Sequence, residues 1–317
     1  MFKPLVAALA LAATGAYAQN YPAKPVRLIV PFAPGGSTDI LARTVAIPLG
    51  QAWKQSVIID NRPGGGTLVG TQLASGAPGD GYTALVTNIA YTLIPSVQGE
   101  AGAQVARRLR GVAQLVSQPT VVAVNPSLPV RNVAELVKYA KSKPGSVNFG
   151  SSGIGSVGHL AGEVLRQRAS VDITHVPYKG GAPAAIDTMT GQIQVVMVGL
   201  PTVMSYVKTG KLKMLAVTDP KRAAAMPDVP TVAEGGLPGY SVTNWVGVLL
   251  PGSASPALVE RLNKDVVAAI KSKEIGAKLE AQGFEIVGGT AASFDHFVQR
   301  EIGQWTAVVK KAGITQL

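Results

Sequence analysis

Val26-Arg27-Leu28-Ile29-Val30-Pro31-Phe32 is a β-branched run that closes on Pro34-Gly35-Gly36, and Ile40-Leu41-Ala42-Arg43-Thr44-Val45-Ala46 follows with helical spacing. The reading is strand, glycine loop, helix. The unit repeats with a strand over Ser56 to Asp60, the turn Asn61-Arg62-Pro63-Gly64-Gly65-Gly66 and a helix over Leu68 to Ala74, before another strand at Thr83 to Thr87. Alternation of this kind predicts an α/β fold, its sheet mostly parallel and flanked by helices.

Downstream the pattern restarts. Val121 to Val124 reads as a strand, Val133 to Ser142 as a helix and Val147 to Gly150 as a strand. The glycine-rich loop Ser151 to Gly158 then leads into a helix over His159 to Gln167. Strands at Ile173 to Pro177, Gln194 to Val198 and Met214 to Thr218, with helices at Ala184 to Thr190 and Pro201 to Lys208, complete a second set. Pro220 to Gly239 is rich in Pro and Gly and reads as a surface connection back to a strand at Val246 to Leu250. Two amphipathic segments, Pro256 to Lys271 and Ala291 to Ala312, flank a short strand at Glu285 to Val287. Chains beyond about 250 residues tend to split into two domains. The 317 residues are therefore expected to form two lobes, one from 22–122 with 247–317 and the other from 123–246.

The first 18 residues follow the export pattern: Lys3, an apolar run from Pro4 to Ala13, and Ala16-Tyr17-Ala18 as an A-x-A site. Cleavage after Ala18 and a periplasmic location are expected, without stable membrane insertion, because no uncharged stretch reaches the roughly 20 apolar residues a span needs. The chain has no Cys, so disulfides and thiol chemistry are excluded. Its formal charge of +11 would suit nucleic acid in another compartment. Export removes that partner, and the basic residues lack interleaved aromatics.

Several chemistries fail on spacing. Gly153, Gly155 and Gly158 form a G-x-G-x-x-G between a strand and a helix, yet the acid at dinucleotide distance, Asp172, precedes its strand. Neither glycine loop ends in Gly-Lys-Ser/Thr, and Gly150-Ser151-Ser152-Gly153 misses the nucleophile-elbow spacing by one residue. A hydrolase built on Ser152 with His159, His175 or His296 stays as an alternative. No close His pair with acids at ligand spacing suggests a metal. No cofactor is expected. What does fit is anion binding. Gly35-Gly36-Ser37-Thr38 would present helix N–H groups and hydroxyls to a carboxylate, with Asp39 either accepting from a ligand or complementing the helix dipole. Two such loops, Pro34 to Asp39 and Ser151 to His159, would face each other across a cleft beyond the strand ends.

The string YPAKPVRLIVPFAPGGSTDILAR resembles the opening of the Bug, or tripartite tricarboxylate transporter, substrate-binding proteins. NRPGGG, NFGSSGIGSVGHLAGE, VPYKGGAPAAIDTMTGQI, NWVGVLLPGSASP and EIGQWTAVVKKAGI follow in the family's order. The resemblance implies a two-lobed periplasmic-binding-protein fold of type II-like build, with two crossing segments and a cleft between the lobes. It also implies a receptor, not an enzyme, that passes a small carboxylate to membrane transporter subunits. Such a ligand is a dicarboxylate, tricarboxylate, aromatic acid or acidic amino acid. A periplasmic sensor with the same pocket is the alternative, and a monomer is expected. Carried over by residue, Gly36, Ser37, Thr38 and Asp39 match the first ligand loop, and Ser151, Ser152, Gly155, Ser156 and His159 the second. Phe32, Asn88, Tyr91, Tyr178 and Gly199 complete the candidate pocket. The chain departs from the family at Gln98 to Arg110, and at Leu200-Pro201, where an acid often follows the glycine.

Overall fold

The computed structural model describes residues 21–312; the export segment expected over 1–18, with its cut after Ala18, lies outside them. Two mixed sheets organise the chain. The first has strand order β11-β4-β10-β3-β1-β2, from β1 (Val26–Val30), β2 (Val57–Asn61), β3 (Thr83–Asn88), β4 (Leu109–Ser117), β10 (Trp245–Pro251) and β11 (Glu285–Ile286). The second has order β7-β6-β8-β5-β9, from β5 (Thr120–Val124), β6 (Val147–Ser151), β7 (Ile173–Pro177), β8 (Val195–Gly199) and β9 (Lys213–Val217). β1 pairs in parallel with β2 and β3, and β6 with β7 and β8, as strand–helix–strand units require. The strands that bring the chain across or back pair antiparallel, β10 beside β3 and β4, and β5 beside β8 and β9, and β11 adds an antiparallel edge to β4.

The chain passes between the sheets twice. Between β4 and β5 lie Gln118 and Pro119, and the return reaches the first sheet just after Asn244; Gln118 N–H donates to Asn244 O at 3.1 Å, so the two crossings are tied to each other. The dividing lines expected at 122/123 and 246/247 fall inside β5 and β10, because β-branched runs mark strands and carry no mark of where one sheet yields to the other.

Helices cover the faces: α1 (Ser37–Trp53), α2 (Leu68–Ser75), α3 (Ala90–Val97), α4 (Gly99–Ala106), α9 (Pro256–Lys271), α10 (Lys273–Ala281) and α11 (Ala291–Ala312) around the first sheet, and α5 (Val133–Ser142), α6 (Val157–Ala169), α7 (Gly181–Thr190) and α8 (Leu200–Lys208) around the second. The departing segment Gln98 to Arg110 forms α4 and the start of β4. One apolar cluster runs through both lobes, from Ile29, Leu85 and Trp245 to Val122, Phe149 and Leu160. Burial of each such large side chain is worth about 1.5–3 kcal/mol, so this shared layer holds the lobes in register. No helix among the described residues is long and apolar enough to cross a membrane.

Candidate functional site

Three strand-to-helix turns meet where the lobes face each other. The first joins β1 to α1. Its helix starts at the N-cap Gly36, which supplies no side-chain cap, so the first-turn amides look outward for partners. One partner comes from the other lobe: Ser37 N–H donates to Thr202 Oγ1 at 2.9 Å, in the first turn of α8. Gln118 Nε2, in the first crossing, donates to Ser37 Oγ at 2.8 Å. Asn88 Nδ2 donates to Thr38 Oγ1 at 3.3 Å. Ser37, Thr38 and Asn88 are all buried.

Asp39 is buried in lobe 1 and fully engaged. It accepts from Gly35 N–H and Arg43 Nε, both at 2.9 Å, and from Asn61 Nδ2 at 2.9 Å. Burial alone would push its carboxyl up, but the bonds from Arg43, the Gly35 amide and Asn61 hold it below the usual range. Of the two roles left open by the sequence, this geometry favours the local one. The carboxylate fastens the glycine turn to the helix behind it.

The second turn joins β6 to α6. Ser156 caps α6 by accepting from His159 N–H at 3.3 Å, and Gly155 N–H donates to His159 Nδ1 at 3.2 Å. His159 stacks on His175 with ring centroids 3.9 Å apart, and His175 Nε2 meets Ser151 Oγ at 2.7 Å. Gly153 N–H and Ser156 Oγ also donate to that oxygen, each at 3.1 Å. Burial first, and the neighbouring His159 second, push His175 down to about 3; burial likewise lowers His159. Ser151 has no exposed surface, and a base needs a pKa near the working pH. The serine–histidine contact is therefore an internal part of the loop, which it organises.

These imidazoles make a pH prediction. A folded-state pKa below the ordinary 6.5 means that the folded protein binds fewer protons than the unfolded chain. The stabilising contribution is whole above about pH 6.5 and is lost as pH falls toward about 3. Below about pH 6, one such group steepens the loss by about 1.4 kcal/mol per pH unit. Thermal melts between pH 7.5 and 4.5 should show a shallower decline for His175→Gln than for the wild type; parallel curves would exclude this role.

The third turn, between β7 and α7, gave only Tyr178 to the candidates read from the sequence. Its helix begins at the N-cap Gly180, again without a side-chain cap. It sits between the other two. A methyl on Gly36 would stand 3.7 Å from Gly181 N, and one on Gly181 would stand 3.3 Å from both Ser152 Oγ and Thr202 Cγ2. Ala33 N–H donates across the lobes to Lys179 O at 3.0 Å. Tyr178 OH donates to Asp187 Oδ2 at 2.7 Å, and burial together with that bond pushes the phenol up to about 12.

Beside this junction lies a cavity of about 330 Å³. Lobe 1 contributes Pro31, Phe32, the Gly64 to Thr67 turn and Gln98; lobe 2 contributes Ser152 to Ile154, Ser156 and Pro177 to Lys179. Among the candidates, Phe32, Ser152, Ser156 and Tyr178 thus line one cavity. Gly36, Ser37, Thr38 and Gly199 lie at or under the adjoining seam, while Asp39, Ser151, Gly155 and His159 brace the turns from behind. Tyr91 is buried in lobe 1, its hydroxyl donating to Ala106 O at 2.6 Å. Lys179, Gln98, Gln118 and Thr202 are additions. Lys179-Gly180-Gly181 repeats the strand–glycine–helix pattern of the first loop and was open to the same reasoning; Gln118 and Thr202 carried no such signal.

A cleft between two α/β lobes, floored by strand-to-helix turns from both, is the architecture of a solute-binding protein. Residues 41–314 match the family described as Tripartite tricarboxylate transporter family receptor, and the chain belongs to that family. It is 33% identical over 302 residues to Protein BugT of Bordetella pertussis (strain Tohama I), covering 93% of this chain and 91% of that one. Among solved structures, R. palustris Rpa4515 with adipate shares 35% identity at a TM-score of 0.90, over 94% of this chain and 100% of the other. MatC (Rpa3494) from Rhodopseudomonas palustris with bound malate shares 27% at a TM-score of 0.84, over 91% and 100%. The family is one of periplasmic binding receptors, which is not an enzyme class.

Proposed function

We propose that the chain, exported and cut after Ala18, captures a small carboxylate between its lobes and hands it to membrane subunits of a tripartite tricarboxylate-type transporter. The observation that carries this reading is the meeting of the α1 and α7 starts, one from each lobe, at N-caps Gly36 and Gly180 that supply no side-chain cap. Helix starts present N–H groups and partial positive charge, so their convergence beside a cavity favours an anion. The adipate of Rpa4515 and the malate of MatC support extending carboxylate binding to this relative. Within the site, Ser152 and Ser156 offer hydroxyls, Phe32 and Tyr178 form walls, and Ser37, Thr38 and Gly199 govern how closely the lobes meet. Closure follows from tighter binding to the closed form.

Titration calorimetry with aliphatic dicarboxylates, tricarboxylates and aromatic acids should give at least one micromolar ligand, about −8 kcal/mol. Binding of uncharged solutes with silence from every carboxylate up to millimolar concentration would refute the proposal.

A further inference from the structure

Resting on that reading, we infer that the cleft selects carboxylates that carry no ammonium group, and that Lys179 sets this bias. Lys179 is the charged residue that lines the cavity, and no Asp or Glu lines it among the described residues. The acids built into the adjoining turns are already committed. Asp39 serves Gly35, Arg43 and Asn61, and Asp187 accepts from the Tyr178 hydroxyl.

Four of the lining carbonyls already accept hydrogen bonds. Phe32 O accepts from Asn61 Nδ2 at 3.0 Å and Gly65 O from Gln98 Nε2 at 3.1 Å. Gly153 O accepts from Ser156 N–H at 3.1 Å and Lys179 O from Ala33 N–H at 3.0 Å. An α-ammonium group entering the cleft would meet a lysine and helix starts of positive sign, with no lining carboxylate to pair with. A cation desolvated without partners is disfavoured, and here the neighbouring charge repels it too. Pro31, Phe32, Ile154 and Pro177 suit the apolar body of an acid instead. A volume near the low end of ligand pockets suits a short one.

The test is calorimetry on matched pairs that differ only in the amino group: succinate with L-aspartate, glutarate with L-glutamate, adipate with 2-aminoadipate. The tightest-binding diacid should exceed its amino partner by at least about tenfold, which corresponds to 1.4 kcal/mol. Lys179→Glu, its fold checked by circular dichroism and melting temperature, should cut that ratio by about tenfold or invert it, as a charge of opposite sign now faces the ammonium. An amino partner that binds as well as its diacid, or a ratio that Lys179→Glu leaves unmoved, overturns the inference while carboxylate capture stands. Silence from both members of every pair overturns the inference; silence from tricarboxylates and aromatic acids as well overturns the proposed function with it.

Discussion

Gly199→Ala should leave the protein folded and weaken carboxylate binding by about 30-fold. Gly199 has φ −60° and ψ 137°, a conformation open to any residue, so the backbone itself tolerates alanine. The obstacle is space. A methyl there would lie 2.3 Å from Gln118 Nε2 and 2.6 Å from Ser37 Oγ, driving apart the two groups whose 2.8 Å bond joins the first crossing to the α1 turn. Ser37 is also the residue whose amide reaches Thr202 across the seam. Losing two hydrogen bonds of about 1 kcal/mol each from the closed form alone lowers its population, and apparent affinity falls with that population. Calorimetry gives the affinity, and small-angle scattering of the liganded variant should show a larger radius of gyration. A folded Gly199→Ala protein with wild-type affinity would mean that the seam plays no part in capture.

Gly158→Ala should instead strike stability. A methyl at this position in α6 would stand 1.9 Å from Met197 O and 2.9 Å from its carbonyl carbon, both main-chain atoms of β8. Strand backbone has nowhere to yield, because β8 is paired on one side with β5 and on the other with β6. Overpacking a full core costs about 1–3 kcal/mol, occasionally more, and contact with backbone places this case at the upper end. A fall in melting temperature of roughly 5 °C follows for a protein of this size. A melting curve within one degree of wild type would show that α6 rides free of the second sheet.

Much of the fold was legible, for particular reasons. The first two parallel strands announce themselves as β-branched runs closed by Pro and Gly, and the spacings of Ile40 to Ala46 and Val133 to Ser142 are those of helices with one buried face. α4 was hidden: over Gly99–Ala106, with glycine at Gly99 and Gly102, it has neither an apolar stripe nor a cap to mark it. The glycine turns of the site were visible because anion-binding backbone is written locally. Their partners were not. Ser37 meets Gln118 81 residues away and Thr202 165 residues away, and pairings at such range leave no trace in spacing. His159 shows the same limit. Its place at a helix start was readable, but that its Nδ1 is taken by Gly155 N–H depends on how the loop folds back.

The most direct test of capture by opposed turns is amide hydrogen exchange, with and without the tightest-binding carboxylate found by calorimetry. Peptides containing Gly36 to Asp39 from lobe 1 and Ser152 to Gly155 and Gly180 to Ala182 from lobe 2 should gain protection together, in proportion to ligand occupancy. Protection confined to one lobe, or concentrated on the outer groove beside Arg110 and Asp295, would contradict the account.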